Sequence, residues 1–128
     1  MDNRPPILLD ASFLIALERE TRNRRAGPAV AMLPRLSGRK LCVSVVAVAE
    51  FLEGARDRDE AARALARFTV QPIAWAQARR CTVIQARADR RPGENDAWIV
   101  ATAETLGAEI VARDRAGFAR LGGRYLVF

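Results

Sequence analysis

The chain contains no histidine. Imidazole acid–base catalysis, Ser-His-Asp triads and histidine metal ligands are excluded together, so any hydrolytic chemistry must rest on carboxylates, with a hard cation as their natural complement. Cysteine is scarce: Cys42 and Cys81 stand in no metal-ligand spacing and are expected as reduced, buried, small apolar residues. Lysine is scarcer, with Lys40 the only one among 21 basic residues. Long apolar runs are missing too. The run from Leu41 to Leu52 is broken by Ser44 and Glu50, and no stretch reaches the ~20 apolar residues that cross a bilayer. Met1 to Pro6 hold no apolar core of a secretory signal. The expectation is a soluble, cytoplasmic protein with no membrane attachment.

What is present is ordinary globular composition, half hydrophobic and 28% charged. A length of 128 residues suits one domain, 1–128, with a core of its own. The formal charge of +6 suits a polyanionic partner. An arginine- and alanine-rich chain also follows from a GC-rich genome, so charge alone leaves a nucleic-acid partner open.

The stretch Ile7-Leu8-Leu9-Asp10-Ala11-Ser12 reads as a buried parallel strand ending in an aspartate, followed by a helix over 11–20 with Phe13, Leu14 and Leu17 on one face. A polar basic segment and Gly27-Pro28 lead to a helix over 28–36, which Pro34 should kink or end. Strand 41–43 follows, then Ser44 as N-cap of a helix over 45–55. Asp57 or Asp59 caps a helix through Phe68, and 69–73 reads as a strand. Helices are expected over 75–91 and from Glu94 to Leu106, with Gly107 as the C′ residue. Strand 110–112, a polar turn at 113–115, a short helix 116–121 and a strand 125–128 complete the chain. Alternating strands and helices predict a mainly parallel sheet with helices on both faces.

Four carboxylates stand out against this frame. Asp10 closes the first strand, where α/β sheets place ligands, although an aspartate there also caps a helix. Glu50 sits among Val46, Ala47 and Gly54 in the most hydrophobic helix, where solvation explains it poorly; Glu53, one turn on, reads as solvated. Asp96 opens a helix and Asp114 follows a strand by two residues; dipole and turn roles compete with a site role for both. In a doubly wound sheet all four can share one edge. Clustered carboxylates repel, raising a pKa unless a cation neutralises them. Oxygen ligands point to Mg2+ or Mn2+, which can activate water and stabilise charge on a phosphodiester.

These residues resemble the PIN-domain ribonucleases, and within them the VapC-like toxins of bacterial toxin–antitoxin pairs. Ile7-Leu8-Leu9-Asp10-Ala11-Ser12 looks like the family's opening motif, and Ser44 to Gly54 like its second, with Glu50 as the acid. Asn95 to Ala103, with Asp96, looks like the third, and Val111-Ala112-Arg113-Asp114 with Phe118 like the fourth. Ala112 departs from the Thr or Ser the family often has there. The resemblance implies a three-layer α/β/α sandwich and metal-dependent RNA cleavage by activated water, leaving a 5′-phosphate. It implies Asp10, Glu50, Asp96 and Asp114 as catalytic residues carrying Mg2+ or Mn2+, and Ser12 orienting Asp10 or Asp114. It also implies a homodimer silenced by a small antitoxin.

Other readings fit less well. A phosphoacceptor receiver domain wants a lysine near its last strand, whereas Lys40 precedes the second. An aspartyl phosphatase wants an acid two residues after the first, where this chain has Ser12. A catalytically weak PIN domain that binds RNA or protein, and an RNA-processing nuclease without an antitoxin, share all the features above. Arg22, Arg24, Arg25, Arg79, Arg80, Arg87, Arg90 and Arg91 are the candidate RNA-facing arginines.

Overall fold

The structure, a computed structural model, describes residues 3–88, 93–113 and 124–128. Six α-helices and five strands alternate within them. β1 (Ile7–Leu9) leads to α1 (Ala11–Arg22) and α2 (Pro28–Met32), and β2 (Leu41–Ser44) to α3 (Val45–Glu53) and α4 (Arg58–Ala64). β3 (Thr69–Gln71) precedes α5 (Trp75–Arg87) and α6 (Glu94–Leu106), before β4 (Glu109–Ala112) and β5 (Tyr125–Val127). The strands form one parallel sheet in the order β3-β2-β1-β4-β5. The chain winds outward from β1 through β2 to β3, then returns to the other side of β1. The crevice between β1 and β4 is therefore the topological switch point, where such sheets place ligands.

Strand alternation sorts the core into two layers. Ile7, Leu9, Val43 and Val111 face α1 to α4, packing on Phe13, Leu17, Met32 and Phe51. Leu8, Cys42, Ile110 and Ala112 face the opposite way, against Cys81, Ile84, Val100 and Ala101 of α5 and α6. Helix α6 is covered nearly all round: Ala97, Ile99, Val100, Ala101, Thr102 and Ala103 are buried, and the Thr102 hydroxyl finds its acceptor in its own helix, at Trp98 O (2.8 Å). Cys42 and Cys81 form no disulfide, and both are buried. No helix among the described residues is long and apolar enough to cross a membrane.

Local chemistry sets most boundaries. The Ser44 hydroxyl accepts from Ala47 N (3.1 Å), so β2 runs without a loop into α3. The Asp57 carboxylate accepts from Glu60 N (3.1 Å) and opens α4. Gly107 takes the left-handed conformation at φ 65°, ending α6 where a Cβ would be strained. The expected helix 28–36 splits at Leu33, with the Pro34 segment tightening into a 3-10 turn. The expected helix through Phe68 likewise ends at Ala64, followed by a 3-10 turn over Leu65–Arg67. Helix α5 stops at Arg87 rather than near 91, because Ala88 is already extended (ψ 143°). The expected helix 116–121 lies outside the described residues.

Candidate active site at the carboxyl edge of the sheet

Asp10 leaves β1 at the switch point, its backbone N–H bonded to Val111 O of β4 (3.0 Å). Its carboxylate caps α1, but with one oxygen only: Oδ2 accepts from Ser12 N (3.1 Å) and from Ser12 Oγ (2.6 Å). The two readings of Asp10 are thus compatible, because Oδ1 takes no hydrogen bond among the described residues. Ser12 does a second job. Its Oγ accepts from the backbone N–H of Arg113 (3.1 Å), the first residue beyond β4. One hydroxyl therefore ties the exits of β1 and β4 together across the crevice.

Glu50 comes to this edge from α3. It is half-buried, whereas Glu53 one turn on is exposed, as its neighbours suggested. Burial pushes the Glu50 carboxyl above its usual range; Asp10 and, more weakly, Asp96 and Glu53 add to the push, against a hydrogen bond from the Asn95 side chain. Asp96, half-buried in the first turn of α6, completes the set. Asp10, at the end of β1, and Asp96, on α6, thus both lie within the field of Glu50. Asp114 lies outside the described residues, as do Phe118, Arg90 and Arg91.

The donors are all carboxylate oxygens, which suits a hard divalent cation in kind. As they stand, no three acids among the described residues are close enough to form a ligand group. Asp10, Glu50 and Asp96 are the described residues that would hold such an ion.

The basic residues sort differently from the sequence expectation. Arg80 and Arg87 both bond the Glu104 carboxylate, Arg87 at 2.8 Å, and so brace α5 against α6. Arg22 pairs with Glu18 one turn back (3.2 Å). Arg24, Arg25 and Arg79 remain exposed. Sequence reasoning missed two residues at the edge. Asn95 stood beside Asp96 in the third motif, and only the approach of α3 to α6 gives it Glu50 as a partner. Arg113 stood in a stretch read as a polar turn, and adjacency to Asp114 was the available signal.

A separate groove of about 740 Å3 opens between α1, α3 and α4. Leu14, Leu17, Phe51, Ala61, Leu65 and Phe68 line it, with Glu18, Arg22, Arg56, Glu60 and Arg67 also at its walls.

The fold and site define a three-layer α/β domain with an acidic crevice at the switch point of a parallel sheet. The chain belongs to the PIN domain family, whose profile matches residues 7–124. No curated protein matches it. Among solved structures it is similar to VapBC2 from Rickettsia felis bound to a fragment of promoter DNA, at 14% identity and a TM-score of 0.77, covering 95% of this chain and 98% of that one. It is similar to a toxin–antitoxin complex from Klebsiella pneumoniae at 21% identity and a TM-score of 0.76, covering 94% and 95%. It is also similar to Mycobacterium tuberculosis VapC20, a toxin that cleaves the sarcin–ricin loop, at 20% identity and a TM-score of 0.67, covering 91% and 95%.

Proposed function

We propose that this PIN domain is an Mg2+- or Mn2+-dependent endoribonuclease, the toxin of a toxin–antitoxin pair. The observation that carries the reading is electrostatic. Glu50 is pushed up by burial and by Asp10 and Asp96, acids delivered from separate elements to one crevice. Such a cluster opposes folding unless a ligand cation relieves it. Family membership and the toxin–antitoxin neighbours support the same assignment.

In this reading Asp10, Glu50 and Asp96, with Asp114, are the catalytic residues and hold the ion. The bound ion supplies a Lewis acid that polarises the scissile phosphate and makes water a nucleophile at neutral pH. Ser12 holds Asp10 in one rotamer through Oδ2 and leaves Oδ1 directed to ligand. The Asn95 side chain favours the charged form of Glu50, against the push of the neighbouring acids. The small antitoxin takes the groove between α1, α3 and α4: its apolar walls fit an amphipathic segment and its mixed charges fix the segment's direction. The whole span 1–128 acts as one domain, in the cytoplasm, as a homodimer.

A second reading, a catalytically weak PIN domain that binds RNA or protein, draws on the looseness of the described acids, which form no three-ligand group. Cleavage of a mixed RNA pool separates the two. Purified protein, freed of any antitoxin, is assayed in Mn2+, in Mg2+ and in EDTA beside Asp10→Asn and Asp96→Asn. Metal-dependent cleavage lost in both variants supports the nuclease. RNA binding with no turnover in any metal supports the weaker reading.

A further inference from the structure

We propose that Arg113 is the residue by which this site grips the phosphodiester backbone of RNA, with the Phe128 ring as the plate that holds it in place. The inference rests on the nuclease reading above and adds a substrate-contact residue to it.

The need is physical. A crevice lined by carboxylates repels a phosphodiester, so a cation at its margin must offset that repulsion before chemistry begins. The backbone of Arg113 stands at that margin. It is the first residue past β4, the strand paired with β1 through Leu9 and Val111, at the switch point where Asp10 leaves the sheet. Its backbone N–H is bonded to the Ser12 hydroxyl that also holds Asp10. Arginine position and acid position are therefore set by one group.

The side chain is held in its turn. The Arg113 guanidinium carbon lies 5.2 Å from the centroid of the Phe128 ring. That ring meets buried Phe13 edge-on, with centroids 5.2 Å apart and planes at 90°. The Phe128 backbone N–H reaches Ala112 O (3.4 Å). A planar guanidinium stacked on a ring fixed to the core has less rotamer freedom to lose on binding.

Among the described residues Arg113 also keeps its side-chain donors. Among the described residues its guanidinium makes no hydrogen bond or ion pair, unlike Arg39 on Glu109 or Arg80 and Arg87 on Glu104. Among the described residues Glu20 feels the Arg113 charge, yet it forms no ion pair with it, and its oxygens accept the backbone N–H groups of Gly27 (2.6 Å), Ala29 (3.0 Å) and Val30 (2.9 Å). An exposed cation held over a ring, with no partner among the described residues, can form the paired N–H···O contacts that phosphate accepts, which is what backbone recognition requires.

The test uses the full chain in the cleavage-silent Asp10→Asn background, titrated with a mixed-sequence single-stranded RNA pool in EDTA over a range of KCl. Arg113→Ala is expected to weaken binding about five- to tenfold, uniformly across sequences, and to lower the log–log salt slope by about 0.7, the value of one single-strand phosphate contact. Arg113→Lys should keep the slope and recover part of the affinity. Phe128→Ala should weaken binding by less, and Phe128→Trp, which restores a plate, should recover it. In the cleaving protein, Arg113→Ala should act mainly on KM, whereas Asp96→Asn acts on kcat. Unchanged affinity and salt slope in Arg113→Ala overturns the proposal. So does a variant that melts earlier yet binds RNA as before, which would make Arg113 a structural partner of Glu20. Where Arg113→Ala fails to fold, Arg113→Gln carries the same comparison. Failure of the wild type to cleave any RNA would defeat the nuclease reading instead, while this binding comparison would still stand or fall by its own slopes.

Discussion

Glu50 and Glu104 are both half-buried glutamates on helices, and burial pushes both carboxyls up. Their company decides the outcome. Glu104 receives Arg80 and Arg87 from α5, and the two arginines draw its carboxyl below the usual range. Glu50 receives Asp10 and Asp96, and its carboxyl stays high despite the Asn95 hydrogen bond. One is a finished structural brace between α5 and α6. The other, in the function proposed above, is a set of acids that opposes folding until a cation binds. Burial alone therefore separates nothing; the sign of the neighbours separates the candidate site from the scaffold.

The largest expected difference is in activity. Asp10→Asn and Asp96→Asn should each lower metal-dependent RNA cleavage by at least about 10²-fold, as loss of a preorganised electrostatic group does. Glu104→Gln should leave cleavage nearly intact at temperatures where it is folded. Single-turnover cleavage rates check both. Equal losses from the two regions would erase the distinction.

Metal should act on one region alone. A cation that binds only the folded cluster stabilises it by mass action, about 2.7 kcal/mol at a hundred times its Kd. Melting curves in Mn2+ and EDTA should differ for wild type and for Glu104→Gln alike, and the difference should shrink in Asp10→Asn.

The pH dependence should run in opposite directions. The folded pKa of Glu50 lies above its unfolded value of 4.5, so its contribution is favourable below that value and is lost as pH rises through the folded pKa. Glu50→Gln in EDTA should therefore gain stability over wild type toward neutral pH and lose that gain in acid. The folded pKa of Glu104 lies below 4.5, so its contribution is present above that value and is lost as pH falls through the folded pKa. Glu104→Gln should melt a few degrees early at neutral pH and match wild type in acid. Melting temperature against pH for the two variants checks the crossing slopes.

The smallest effect belongs to the tie between strands. Ser12→Ala removes the hydroxyl between Asp10 and Arg113 and should slow cleavage about three- to tenfold, within the range seen when a group supporting a ligand is lost. The fold should be unaffected, because Asp10 can still accept from the residue 12 backbone N–H and cap α1. A full loss would make Ser12 a direct participant.

Much of this was readable in the residues themselves. A continuous apolar run ending in Asp10, Ser44 between a strand and a helix, Asp57 ahead of α4 and Gly107 after α6 are local signals with local causes, and the elements begin or end there. Element ends without such a device differ from the sequence expectation: α4 gives way to a 3-10 turn after Ala64, and α5 stops short of 91. Within the candidate site, the residue types and their places at strand ends and helix starts were legible as a set. The pairings were not. That Glu104 would claim Arg80 and Arg87, that Asn95 would reach Glu50, and that Arg113 would lie over Phe128 depend on helices and strand ends far apart in sequence. Periodicity carries no information about such partners, so arginines that serve the scaffold and arginines that remain available looked alike.

The most direct test of the central claim, that the acids at the switch point are held in repulsion for a cation to relieve, is the melting temperature of wild type and Glu50→Gln at neutral pH in EDTA and in Mn2+. Glu50→Gln should melt higher than wild type in EDTA and gain less from Mn2+. A Glu50→Gln protein that melts no higher in EDTA, with an Mn2+ response equal to that of wild type, would contradict it.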